Sequence, residues 1–217
     1  MIPNLPPALK NILIIMILGA MAQTALPNIG IDPYQWYLYY PDSSNFRIWQ
    51  LVTHIFCHGG FSHILFNAIA LFSFGMVVEY RLGTMRFLKL FFISGLGAVL
   101  LHFSWIGYQV FSQAGTFFPN YAAGQDFVQY PPMLGASGAL YGVMTAFAVL
   151  YPEERMIFLF IPYPIKAKFL VPGIIAIDVI FGFLDLESDN IAHFAHIGGA
   201  LLGFIVVKFW QRKNTYV

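Results

Sequence analysis

The chain has 217 residues, of which 59% are hydrophobic and 10% charged. Soluble domains carry about 25% charged residues, so this composition excludes an ordinary soluble domain and points to an integral membrane protein. A net charge of +1 offers no surface to a nucleic acid, and a single cysteine, Cys57, excludes an internal disulfide.

Six stretches are apolar and long enough to cross a bilayer, which takes roughly 20 residues. They are about 9–26, 59–78, 87–111, 134–150, 169–185 and 190–209. Backbone groups must be satisfied within each segment, so all six are expected to be helices. The expected fold class is all-α, one polytopic membrane domain of six transmembrane helices. The first stretch also has a signal-peptide pattern: Lys10, an apolar run, then Ala20-Met21-Ala22. The loop after it (27–54) carries Trp36, Tyr37, Tyr39, Tyr40, Phe46 and Trp49, which suit a lipid–water interface. His54, His58 and His63 precede or begin the second stretch, and His102 lies in the third. A loop with Pro119, Pro131 and Pro132 leads to the fourth, which holds Ser137. Asp178 lies in the middle of the fifth, about 14 Å from Phe169 at 1.5 Å per residue. A charge at that depth must be protonated, paired or facing a wet interior, and a packing or helix-bridging role is expected. His193 and His196 begin the sixth.

The basic residues set the orientation. With the N-terminus inside, Lys10, Arg81, Arg86, Lys89, Arg155, Lys166, Lys168, Lys208, Arg212 and Lys213 all fall inside, and only Arg47 lies outside. This bias predicts N-in, C-in topology and favours retention of the first helix.

Helical rise then gives the height of each polar residue above the inner face. Ser137 precedes Pro152 by 15 residues, or about 22 Å. His63 and Asn67 precede Glu79 by 16 and 12 residues, or about 24 and 18 Å. His196 precedes Lys208 by 12 residues, again about 18 Å. One serine, two histidines and one asparagine thus share a layer roughly 6–12 Å below the outer edge of a ~30 Å core. Gly135, Gly138 and Gly142 on the fourth helix, and Gly199 and Gly203 on the sixth, would let the backbones approach closely beside that layer.

The layer suits acyl transfer. A serine hydroxyl needs a base, and neutral His196 can serve. Ser137 near a helix N-terminus brings backbone N–H groups toward a developing oxyanion. His63 and Asn67, four residues apart, share a helix face and can both donate to it. Tyr141, one turn below Ser137, could pack on the His196 ring. No carboxylate lies beside His196 in sequence, so the arrangement reads as a Ser–His dyad unless a remote acid reaches in.

The segments HGGFSHILFN (58–67), GASGALYG (135–142) and AHIGGALLG (195–203), in this order, resemble the rhomboid intramembrane serine proteases. FRIWQLVTHIFCH (46–58) and EYRLGTMRF (79–87) resemble that family as well. The resemblance implies a six-helix rhomboid bundle that cleaves transmembrane segments of other membrane proteins. It implies Ser137 as nucleophile and His196 as general base. It places His63, Asn67 and the Ser137 N–H around the oxyanion, Gly135 in the loop before the serine, and Tyr141 stacked on His196. Gly138 and Gly199 support the approach of the two helices. Glu79 and Arg81 match an inner-end ExR element with a structural role. No cofactor and no metal are implied, and the partners are membrane-protein substrates and the lipid bilayer. The fifth helix, with its loop 181–190, is expected to form a lateral gate and cap. A bacterial inner membrane is expected, with the site opening to the outer side.

Two other classes use some of the same features. One is a histidine-rich metal-binding membrane protein, from the spacings His54/His58 and His193/His196, although HExxH is absent. The other is a non-catalytic membrane chaperone or adaptor of the same fold. His58 and His102 read as structural histidines.

Overall fold

A computed structural model describes residues 5–119, 131–158, 161–184 and 192–213. The 185–190 portion of the expected cap lies outside the described residues. Eight α-helices and one hairpin make up the described chain: α1 (Pro7–Ala25), α2 (Gln50–Thr53), α3 (Phe61–Ala70), α4 (Met76–Leu82), α5 (Thr84–Ala114), α6 (Ser137–Leu150), β1 (Arg155–Phe158), β2 (Ile161–Lys166), α7 (Ala167–Leu184) and α8 (His193–Arg212). A π-turn, Leu71–Gly75, joins α3 to α4 into one continuous 22-residue segment.

Five segments are long and apolar enough to cross a membrane: Pro7–Ile29, Phe61–Leu82, Thr84–Ala114, Ala167–Leu184 and His193–Arg212. The fourth expected span differs. Its helix starts at Ser137 rather than 134 and has 14 residues, or about 21 Å. The reason is local: Gly135 has φ 113° and gives its N–H to the carbonyl of His54 at 2.9 Å, so the helix cannot run back through it.

The short helix is the core of the bundle. Leu140, Val143, Met144, Ala146 and Phe147 on α6 are all buried. Three helices meet there with almost no side chain between them. A Cβ at Gly199 would overlap the carbonyl of Gly138, one at Gly203 would strike Gly142, and one at Gly198 would overlap the carbonyl of Gly97 on α5. Backbone contact this close needs glycine, and it holds α5, α6 and α8 at fixed heights.

Glu79 ties the N-terminus of α1 to the junction of α4 and α5. It is 2% exposed, and its carboxylate accepts the Ala8 N–H (2.9 Å), the Leu9 N–H (2.7 Å) and the Thr84 hydroxyl (2.9 Å). The first two are orphan donors of the α1 N-terminus, whose helix dipole favours a negative charge. Glu153 accepts from Lys166 (2.7 Å) and from Lys168, clamping the β1–β2 hairpin to the loop after α6. These two hydrogen bonds hold the Glu153 carboxyl down at about 2.

The loop between α1 and α3 is an ordered scaffold. Gln50, fully buried, accepts from the N–H groups of Tyr39 and Arg47 and donates to the carbonyls of Gln35 and Asn45. Trp49 is exposed, together with Ile48 and Val52, while Trp36, Tyr37, Tyr39, Tyr40 and Phe46 are partly buried within the loop.

Candidate active site

Ser137 is the first residue of α6, so its own N–H is among those at the helix start without an intrahelical partner. Its Oγ lies 2.8 Å from Nε2 of His196 on α8. The residues are 59 apart in sequence and meet because Gly138 and Gly199, each next to one of them or one turn away, bring the two backbones into contact. Tyr141 stacks on the His196 ring with centroids 4.3 Å apart and planes 10° from parallel.

The loop before the serine is held from the first loop. Leu38 and Met133 exchange both backbone hydrogen bonds, at 2.9 and 2.8 Å, and His54 accepts the Gly135 N–H. His54 in turn bonds the Gln50 carbonyl through Nδ1 at 2.7 Å. Burial pushes the His54 imidazole down to about 4, so it is neutral at pH 7 and donates from Nδ1. Gln23 on α1 fixes the stretch before α3, accepting the His58 N–H (2.8 Å) and donating to the His58 carbonyl (3.2 Å) and Tyr37 hydroxyl (2.7 Å). His58 is buried and also pushed down to about 4, first by desolvation and then by neighbouring His63. Burial pushes the Cys57 thiol up to about 12, which removes it as a nucleophile at neutral pH.

His63 lies over Gly135: a Cβ there would come within 2.8 Å of Cε1 and Nε2 of the imidazole. His63 Nδ1 accepts the Gly59 N–H at 3.1 Å. Asn67 donates to the His63 carbonyl at 2.8 Å, and its buried Oδ1 has no hydrogen-bond partner among the described residues. The second hydrogen of that amide is the one available for an oxyanion. Ser137, His196, Tyr141, Gly135, Gly138, Gly199 and His63 thus form one contiguous cluster, with Asn67 bonded to the His63 backbone.

Asp178 on α7 reaches the same cluster. Its Oδ1 lies 3.0 Å from His196 Nδ1 and 2.6 Å from His193 Nδ1, and its Oδ2 accepts the Tyr141 hydroxyl. The helix bridge expected of this residue is present, and it ends on the histidine that faces the serine. The signal available in sequence was its charge inside an apolar helix. Gln23 and Gln50 carried no signal, because a glutamine near a loop has no periodicity or spacing to distinguish it. Asp178, His193 and His196 present metal-ligand atoms within 4.8 Å of one another. A cation there would have to displace both imidazole–carboxylate hydrogen bonds. His54 Nδ1 is already used on the Gln50 carbonyl.

The model of the Rhomboid domain family matches residues 45–212. The chain belongs to the rhomboid family. It is an integral multi-pass membrane protein. It is 30% identical over 179 residues to rhomboid protease GlpG of Yersinia pestis, covering 81% of this chain and 52% of that protein. It is 26% identical over 215 residues to an uncharacterized mitochondrial rhomboid protein of Schizosaccharomyces pombe, covering 78% of this chain and 53% of that one. The chain therefore spans about half the length of these two relatives.

Proposed function

We propose that this rhomboid-family chain is an intramembrane serine protease that cleaves peptide bonds in or near transmembrane segments of other membrane proteins. The observation that carries the proposal is the 2.8 Å approach of Ser137 Oγ to His196 Nε2, at the height where two helices touch through glycine. The Yersinia relative bears the name of a protease.

In the proposed reaction Ser137 Oγ attacks the scissile carbonyl carbon while its proton moves to His196 Nε2. Electrons of the carbonyl π bond move to oxygen. The oxyanion is held by the Ser137 N–H, His63 and Asn67. His63 suits that task, because its Nδ1 already accepts the Gly59 N–H and the proton of the neutral ring therefore sits on Nε2. Collapse of the intermediate breaks the C–N bond, and His196 returns its proton to the leaving amine. Water then hydrolyses the acyl-enzyme by the reverse proton path. Gly135 keeps room for the His63 ring, and Tyr141 fixes the plane of His196. No cofactor takes part.

The domain is a single six-helix unit, N-in and C-in, with the site opening to the outer side of a bacterial inner membrane. The asymmetry of basic residues supports this orientation. The test is cleavage of single-span reporter substrates by protein reconstituted in lipid. Wild-type protein cuts and is labelled by a fluorophosphonate, and Ser137→Ala does neither while remaining folded. Undiminished cleavage by Ser137→Ala overturns the proposal.

A further inference from the structure

Asp178 is a buried charge in an apolar helix, and the reaction above gives it no task. It is 5% exposed. A carboxylate taken from water is costly unless its lone pairs are occupied. Here three donors on two other helices converge on it: His193 and His196 from α8 and the Tyr141 hydroxyl from α6. Such a carboxylate is satisfied as an anion, and its orientation is overdetermined.

We propose that Asp178 is the positioning acid of a Ser137–His196–Asp178 triad. The role rests on the protease reading of Ser137 and His196. A carboxylate accepts and does not donate, so the 3.0 Å contact places a proton on His196 Nδ1. Nε2, 2.8 Å from Ser137 Oγ, is then the lone-pair nitrogen that can take the serine proton. Without the acid, the neutral ring can carry its proton on Nε2, where it cannot act as base. Once the serine proton arrives, the imidazolium faces a negative charge and the transition state is stabilised. The proton on Nδ1 stays there throughout.

His193 holds Asp178 in place. It precedes His196 by three residues, so both rings lie on one face of α8 and share one carboxylate oxygen. The acid comes from α7, and this helix must therefore be docked on α8 during the chemical step. Its outer half is docked by aromatic contact: Phe183 meets Trp105 and Phe194 edge-on at 5.9 and 5.5 Å, and Phe181 stacks on His193 at 6.0 Å. Substrate entry that moved α7 outward would also switch off the base until the helix returned.

The titratable groups around His196 are Tyr141 on α6, Asp178 on α7 and His193 on α8, with His63 on α3 and His102 on α5 near enough to feel its charge. Asp178 is the one acid in that set.

The test uses the full chain in lipid with a single-span reporter. Asp178→Asn is expected to lower kcat by roughly 10²–10⁴ with KM little changed, because geometry survives while the favoured tautomer is lost. Asp178→Glu restores part of kcat. A second measurement needs no variant at this position: ¹⁵N NMR of the wild-type imidazoles finds neutral His196 protonated on Nδ1. Unchanged kcat in Asp178→Asn, while Ser137→Ala is inactive, overturns the role. So does neutral His196 found protonated on Nε2. Wild-type protein with no Ser137-dependent cleavage or labelling overturns instead the protease reading, and this role falls with it.

Discussion

His63 Nδ1 lies 3.1 Å from the backbone nitrogen of Gly59, four residues earlier, and this one contact selects the tautomer of the ring. An N–H can only donate, so Nδ1 must hold its lone pair and the neutral ring carries hydrogen on Nε2. That edge is the one lying against Gly135 beside Ser137. His63→Ala is expected to lower kcat by about 10²–10³ with KM spared, the loss typical of one oxyanion donor. Steady-state cleavage of a reporter in lipid measures it. An equal loss carried wholly by KM would place His63 in substrate binding instead.

Gly135 faces two prohibitions at once. Its φ of 113° is a conformation that other residues rarely adopt, and a Cβ would press on the His63 ring at 2.8 Å. Gly135→Ala therefore displaces His63 or breaks the Gly135–His54 hydrogen bond. Activity is expected to fall by at least about tenfold, since a misplacement near 1 Å can cost roughly 10² in rate. Fluorophosphonate labelling of Ser137 should slow with it, while the helical circular dichroism remains.

Gly199 tests the helix contact rather than the chemistry. A Cβ there would overlap the Gly138 carbonyl, and backbone cannot step aside as a side chain can. Gly199→Val should destabilise the fold by at least the roughly 1–3 kcal/mol typical of overpacking. A lowered unfolding midpoint in mild detergent, with activity lost in the same proportion, is the expected result.

Glu79→Leu strands three donors: the Ala8 and Leu9 N–H groups and the Thr84 hydroxyl. Each buried donor left unpaired costs roughly 1–3 kcal/mol. Hydrogen exchange at Ala8 and Leu9 should accelerate before the rest of α1. Glu79→Gln keeps one carbonyl oxygen and should retain part of the protection.

His54 makes the loop scaffold between α1 and α3 sensitive to acid. Its imidazole titrates near 6.5 in the unfolded chain and at about 4 when folded, with burial as the main cause. Between those values the unfolded state binds more protons, so stability rises with pH across the window. It is fully present above about pH 6.5 and lost as pH falls toward 4, by on the order of 3 kcal/mol. Unfolding followed from pH 4 to 7 should show that slope, and His54→Gln should flatten it.

The sequence by itself named Ser137, His196, His63 and Asn67 as candidates and ordered them by height along their helices. Apolar length demanded helices, because a bilayer leaves backbone groups no other partner. A fixed rise of about 1.5 Å per residue then put Ser137, His63, Asn67 and His196 at one level without any knowledge of neighbours. What it could not supply was rotation. Membrane helices such as α1 and α5 are apolar nearly all round, so periodicity does not say which face meets which helix. Only the packed bundle decided that Asp178 ends on His196, that Gly135 hangs from the His54 carbonyl, and that α6 begins at Ser137. Those contacts join residues 18 to 81 positions apart. They exist only once helices and loop are packed together, and the contact of α6 with α8 through Gly138 and Gly199 is part of that packing.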